Sequence, residues 1–332
     1  MRYGYKASAE QFGARRLADL ALDCERLGLD TIAVSDHFQP WRHNGGHAPG
    51  ALTWLGAVAQ GLGPGSLLGT SVLTPTMRYH PSIVAQAFAT VADLSAGSVF
   101  LGIGTGEAMN ETPATGAAWP GAKERRLRLA ESIELMRRLW TEERVDFEGE
   151  YYRTVRATIY ERPETPVPIY VAAGGPLAAK LVGRVADGFI CTSGKPMELY
   201  TSLLENVAAG AETAGRDVSE IRNMIEIKVS YDTDAERAEQ ACHWWGALAL
   251  TAEEKMSTED PLELERLADA HPERASSRFI VSTDPDEVVE RIAPYVGLGF
   301  EELVFHGPGE DQERFLSLFT KDVLPRLRAR FG

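Results

Sequence analysis

Short apolar runs alternate with amphipathic stretches along most of this chain. The runs predict strands over Tyr3–Tyr5, Thr31–Val34, Leu67–Ser71, Val99–Gly104, Ile169–Ala172, Phe189–Cys191, Ile225–Ser230 and Leu303–Phe305, with a further short one over Arg278–Val281. Between them, apolar residues recur at helical spacing. Leu17, Leu20, Ala21, Cys24 and Leu27 form one stripe, Leu129, Ile133, Met136 and Trp140 a second, and Phe315, Leu316, Phe319 and Val323 a third. Strand–helix alternation implies parallel strands joined by right-handed crossovers. About eight such units close into a barrel, whereas five or six leave an open sheet.

Three segments break the rhythm, around 107–122, 144–166 and 248–274. Within the middle one, Val145–Arg153 predicts a hairpin turning at a Glu-Gly pair. No repeat or low-complexity stretch marks a boundary, so the expected architecture is α/β: one (β/α)8 TIM barrel over 1–332, with these segments as insertions. In such a barrel the loops after the strands form the active face. Asp36-His37, Ser71–Thr74, Gly104–Glu107, Gly174-Gly175 and Thr192–Lys195 would meet there.

Composition narrows the class of partner. A net charge of -14 argues against nucleic acid, whose phosphates demand a basic surface, but leaves room for a local basic pocket. Cys24, Cys191 and Cys242 are too few and too scattered for a disulfide framework. With no apolar signal core and no membrane-length apolar run, a cytoplasmic location away from membranes is expected. No His/Cys cluster has metal-ligand spacing, so no metal site is expected.

Two strand ends carry chemistry that packing alone would not select. Asp36-His37, with Trp41, His43 and His47 nearby, offers a proton carrier beside an indole that excludes water. Gly102-Ile103-Gly104-Thr105-Gly106-Glu107 resembles a dinucleotide loop but has glutamate where the fingerprint needs glycine. It reads as backbone brought close to a flat or phosphorylated ligand, with Glu107 as a proton carrier. Gly174-Gly175-Pro176 before a helix offers an anion seat, and Thr192–Lys195 a hydroxyl and an ammonium.

At this level of detail the whole chain resembles the coenzyme F420-dependent glucose-6-phosphate dehydrogenases, deazaflavin enzymes of the luciferase-like barrel superfamily. The likeness runs from Gly4–Phe12 to the C-terminal helix. It is most specific at Ser35–Pro49, Gly69–Thr76, Leu101–Ala108, Ile169–Pro176, Gly188–Lys195, Met224–Lys228 and Leu250–Lys255. The resemblance implies a deazaflavin at the C-terminal ends of the strands, contacted by Asp36, Thr74, Thr105, Gly106, Asn110, Gly174, Gly175, Leu177 and Ala178. It implies a non-prolyl cis peptide at Ser71-Val72 beneath that ring. Thr192, Lys195, Lys255 and Arg278 would match the substrate pocket, the three cations surrounding a sugar phosphate. His37, Trp41 and Glu107 would match the catalytic positions, with Glu10 assisting.

The implied reaction moves a hydride from C1 of a hexose 6-phosphate to the deazaflavin, giving the 6-phospholactone. It needs two proton carriers: Glu107 as acceptor and His37 as donor, with the reverse assignment open. Superfamily likeness further implies a homodimer. Phe279, Met77 and His80 depart from the family pattern and leave fructose or mannose 6-phosphate open as the preferred sugar. The rival readings are an FMN-dependent monooxygenase of the same superfamily and a non-catalytic deazaflavin carrier.

Overall fold

The computed structural model describes residues 1–332. β1 (Arg2–Ala7), α1 (Ala14–Arg26), β2 (Thr31–Val34), α2 (Ala51–Ala59), β3 (Leu67–Thr70), α3 (Pro81–Leu94) and β4 (Ser98–Ile103) alternate without interruption. Then come α4 (Ala108–Thr115), α5 (Ala122–Thr141) and the strands β5 (Val145–Glu148) and β6 (Arg153–Ala157). β7 (Ile169–Ala172), α6 (Pro176–Val185), β8 (Gly188–Thr192), α7 (Met197–Thr213) and β9 (Arg222–Tyr231) resume the rhythm. The short helices α8 (Ala235–Gln240), α9 (Ala252–Met256) and α10 (Pro261–Asp269) precede β10 (Ile280–Ser282). The chain closes with α11 (Pro285–Gly297), β11 (Glu302–His306), α12 (Gln312–Leu318) and α13 (Leu324–Phe331).

Eight strands close a parallel barrel in the order β1-β2-β3-β4-β7-β8-β9-β11, with β11 returning to β1. The ninth expected run stays outside this ring. β8 pairs with Arg222–Glu226 of β9, and β10 takes over farther along, opposite Val229–Tyr231. The strand begins at Ile280, and Arg278 ends a 3-10 turn before it. That arrangement sets Arg278 beside the residues that follow β8.

The amphipathic stripes bury as their spacing requires, with one exception. Leu17, Leu20, Ala21 and Cys24 are buried, while Leu27 ends α1 and is exposed. The hairpin forms, but over a longer connection than a Glu-Gly turn. Residues 149–152 wrap the carboxylate of Glu131, which accepts from the N–H groups of Glu150, Tyr151 and Tyr152 at 2.9, 2.9 and 2.6 Å. No helix is long and apolar enough to cross a membrane.

Inside the barrel the lower plug is apolar: Ala33, Leu67, Phe100, Tyr170, Ile190, Met224 and Val304 pack together. Strand side chains alternate between faces, so the next inward positions beyond Ile190, Met224 and Val304 are Thr192, Glu226 and His306, followed on β9 by Lys228. On β1 the inward position opposite His306 is Lys6. The barrel interior therefore turns from apolar to charged on the way to its C-terminal mouth.

Candidate active site

That mouth opens into a cavity of about 500 Å³. Its lining includes Glu10, Asp36, His37, Trp41, Ser71, Val72, Thr74, Thr105, Gly106, Glu107, Asn110, Gly174, Thr192, Lys195, Lys255 and Arg278, residues separated by up to hundreds of positions in sequence. Gly175, Leu177 and Ala178 lie outside the lining, at the start of α6. His43 and His47 also stay out of it.

At one side, the Nε2 of His37 stands 3.2 Å from Glu10 Oε1 and 4.0 Å from Glu107 Oε2. Asn110 fixes the ring. Its Oδ1 accepts from the N–H groups of Phe38 and Gln39 at 2.9 and 3.0 Å, which turns its Nδ2 toward His37 Nδ1 at 3.1 Å and Glu107 Oε2 at 3.3 Å. Gln39 O also lies 3.2 Å from Nδ1. The Asn110 amide facing Nδ1 and the Glu10 carboxylate facing Nε2 favour a proton on Nε2, whereas the Gln39 carbonyl favours one on Nδ1; the doubly protonated ring satisfies both oxygens. Glu10 is itself buried and accepts from Ser35 Oγ at 2.5 Å. Trp41 packs over His37 with ring centroids 5.8 Å apart.

Glu107 differs from Glu10 in facing the open cavity, with 46% of its side chain accessible. Enclosure by the surrounding walls raises its pKa against the opposing pull of His37, while Glu10 adds to the rise. Such a carboxylate is a stronger base than one in bulk water.

The cations converge on the other side. Lys255 Nζ and Arg278 Nη1 both donate to Leu248 O, at 2.8 and 3.2 Å. Lys195 joins them. Its pKa is lowered first by Arg278 and then by burial, as expected for like charges facing one space. Burial, then Arg278 and Lys195, push Lys255 down to about 8. Gly194, at φ +81°, lets the chain pass close to Arg278, because a Cβ there would sit 2.7 Å from the Arg278 carbonyl oxygen. Lys255 also lies 5.9 Å from the Trp41 ring centroid, so the indole borders both the cations and His37.

Sequence reasoning overlooked the cavity floor. Glu226 joins Lys6 at 3.1 Å, His306 at 3.3 Å and Lys228 at 3.5 Å, and all four are buried. Burial alone would raise the Glu226 pKa, but Lys6, Lys228 and His306 hold it well below the usual range. Lys6 also donates to Ser71 O, the carbonyl of the Ser71–Val72 peptide, which is cis. The signal lay in the alternation of Met224, Glu226, Lys228 and Ser230 along a strand buried on both faces. A second omission is Arg78, which bridges Asp36 at 2.8 Å and Glu111 at 3.0 Å. The Asp36 carboxylate is fully covered and also accepts from Tyr79 Oη at 3.3 Å, so it supports the cavity wall through these partners.

The opposite wall is made of small residues. A side chain at Gly104 would meet Val72 at 3.1 Å, and one at Gly174 would meet nothing within 4 Å. Gly106, at φ +81°, presses on Thr74, only 2.9 Å from where a Cβ would stand. These residues leave a face onto which a flat ring fits. The start of α6 beyond it carries N–H groups with no side-chain cap. The departures from the family pattern stand back from the cavity. Phe279 is buried behind His306, with ring centroids 5.6 Å apart, and Met77 and His80 line a neighbouring cleft with Trp119.

Comparison with known proteins agrees with this geometry. The model of the luciferase-like monooxygenase family matches residues 1–302. A protein of Nakamurella multipartita named F420-dependent glucose-6-phosphate dehydrogenase is 59% identical over 334 residues, covering 100% of this chain and 98% of its own. One of the same name from Nocardia farcinica is 59% identical over 99% of this chain and 98% of its own. Among solved structures, an F420-dependent secondary alcohol dehydrogenase in complex with an F420-acetone adduct superposes with a TM-score of 0.91 at 31% identity, covering 98% of this chain and 99% of that one. The F420-dependent tetrahydromethanopterin reductase of Methanopyrus kandleri shares the fold, with a TM-score of 0.80 at 22% identity over 98% of this chain and 99% of that one.

Proposed function

The chain belongs to the luciferase-like monooxygenase family, and we propose that it oxidises glucose 6-phosphate at C1 with coenzyme F420 as the electron acceptor. Its relatives and the two-sided cavity support this reading together. The observation that carries it is the meeting of Lys195, Lys255 and Arg278 in one cavity with His37 and Glu107. An apolar substrate for a flavin monooxygenase would gain nothing from three such cations, whose desolvation is costly. A carrier protein would need no proton-transfer groups.

When bound, the deazaflavin supplies the hydride acceptor. Val72, Gly104, Thr74, Thr105, Gly106 and Gly174 would hold its ring. The uncapped N–H groups of Leu177 and Ala178, with Gly175 ahead of them, would receive its anionic tail. Asp36 and Asn110 shape the wall from beneath, Asp36 through Arg78 and Asn110 through His37 and Glu107.

Lys195, Lys255 and Arg278 grip the phosphate dianion and Thr192 borders the sugar. Binding energy remote from C1 thus orients the reacting carbon. Glu107 takes the proton of the C1 hydroxyl, its raised pKa and open face suiting it to that work. His37, in its doubly protonated form, would supply the proton that accompanies the hydride and be left neutral, while Glu10 orients the ring through Nε2. Trp41 keeps water from the space between them. The same reading includes a cytoplasmic location, which cell fractionation tests, and a homodimer, which light scattering on the purified protein tests.

Turnover decides the matter. Glucose 6-phosphate added to protein and coenzyme F420 should bleach the deazaflavin absorbance. Tight FMN binding without any deazaflavin binding would contradict the proposal.

A further inference from the structure

Two cations of the cavity lining lie outside the phosphate site, Lys6 and Lys228, and of these Lys6 is engaged by Ser71 O and Glu226 whereas Lys228 is not hydrogen-bonded. Its side chain is 3% exposed, yet its Nζ has no hydrogen-bond partner. Glu226 Oε1 stands 3.5 Å away and is already shared with His306, while Glu226 Oε2 is taken by Lys6. An ammonium carries three donors, and leaving them unmet in a buried place is costly.

Its location says where an acceptor would come from. The backbone N–H of Lys228 donates to Ser193 Oγ at 2.8 Å, and Arg278 Nη2 donates to Ser193 O at 3.3 Å. One serine thus anchors both residues, and both side chains line the same cavity. The charge balance points the same way. Lys6 and Lys228 face the single carboxylate of Glu226, so the floor carries one positive charge too many, with Lys255 and Arg278 adjoining. An anion entering the cavity relieves that excess while leaving Lys228 charged.

We propose that Lys228 is a fourth cationic donor to the substrate's phosphate group, reaching it from the inner wall of the barrel. This inference rests on the reading of the cavity as a sugar-phosphate site. Glu226, Lys6 and His306 are its positioning residues: they fix the Lys228 side chain without consuming its hydrogens. The arrangement extends the phosphate grip from the connections beyond the strands, where Lys195, the α9 residue Lys255 and the turn residue Arg278 lie, onto a barrel strand. A rigid strand sets the depth at which the phosphate stops, and with it the distance of C1 from the proton carriers.

Binding of inorganic phosphate and of glucose 6-phosphate to the full-length protein tests this by calorimetric titration, without requiring turnover. Lys228→Met should weaken both by a similar factor of about 10–100, the range for one hydrogen bond to a charged partner. Its unliganded Tm should not fall below that of the parent, since surplus buried charge has been removed. Unchanged affinity for both ligands would overturn the proposal. So would weakened sugar-phosphate binding with unchanged phosphate binding, which marks a contact to the sugar. If Lys228→Met fails to fold, a crystal structure of the parent with glucose 6-phosphate decides: Nζ within hydrogen-bond distance of a phosphate oxygen supports the assignment, and any longer separation refutes it. Parent protein that binds phosphate but oxidises no sugar phosphate would count against the proposed reaction alone.

Discussion

Lys255 Nζ and Arg278 Nη1 donate to the same carbonyl oxygen, that of Leu248, at 2.8 and 3.2 Å. One residue comes from the short helix α9 and the other from the turn before β10, so nothing local brings them together. Two cations held this close disfavour one another unless an anion lies between them. The shared carbonyl holds both at one space, which an anion would fill.

Removing one of them should weaken substrate binding. Lys255→Ala is expected to raise KM for glucose 6-phosphate by about 10–100-fold, with a smaller effect on kcat, because the contact serves ground and transition states alike. Steady-state kinetics at saturating coenzyme F420 checks this. A fall in kcat at constant KM would contradict a phosphate-binding role.

Glu107→Gln keeps the shape of the site and removes the base. The expected loss is about 10²–10⁴-fold in kcat, the usual contribution of a positioned proton acceptor, with KM little changed. Unaltered kcat would end the assignment of Glu107 as acceptor.

The pH profile should fall on the alkaline side. Lys255 has its pKa pushed down to about 8 by burial, Arg278, Lys195 and Lys228, with Glu107 opposing. Below that value the ammonium is charged and grips phosphate; above it the charge is lost. The kcat/KM of the free enzyme should therefore decline as pH rises through about 8. Lys228, also pushed down to about 8, chiefly by burial, loses its charge over the same range, so Lys255→Ala should make that limb shallower without abolishing it. In stability the sign is opposite. A lysine whose pKa is lowered on folding destabilises the unliganded protein at neutral pH, and this penalty lifts as pH rises from about 8 toward the unfolded lysine value.

Asp36 should show itself in stability before it shows in chemistry. Asp36→Ala leaves the buried Arg78 with Glu111 alone and is expected to cost about 3 kcal/mol of folding free energy. Chemical denaturation measures it. A stable variant with weakened coenzyme binding would instead make Asp36 a direct cofactor contact.

Phe279→Trp tests whether the departures from the family pattern choose the sugar. Phe279 is buried behind His306 and outside the cavity, so the larger ring should overpack that layer and cost about 1–3 kcal/mol. It should leave the preference among glucose, fructose and mannose 6-phosphates unchanged. A switch in a substrate panel would show that the second layer sets specificity.

The barrel was legible because its strands are short apolar runs and its helices carry one apolar stripe each. Where the reading slipped, a tertiary contact decided. The hairpin connection is longer because Glu131 collects its N–H groups, and Leu27 is exposed because α1 has already ended. The candidate site was legible by resemblance, since spacing alone could not bring Lys255 to Arg278. Lys6, Glu226, Lys228 and His306 went unnoticed because each looks ordinary in its own strand. Only the closing of the barrel turns β1, β9 and β11 inward together.

The most direct test compares glucose 6-phosphate with glucose itself, both with coenzyme F420. If the cation cluster positions C1 through the phosphate, kcat/KM should favour the phosphorylated sugar by at least about 10³-fold. Values within about tenfold of each other would show that the phosphate is not the handle, and would contradict the proposed use of Lys195, Lys255 and Arg278.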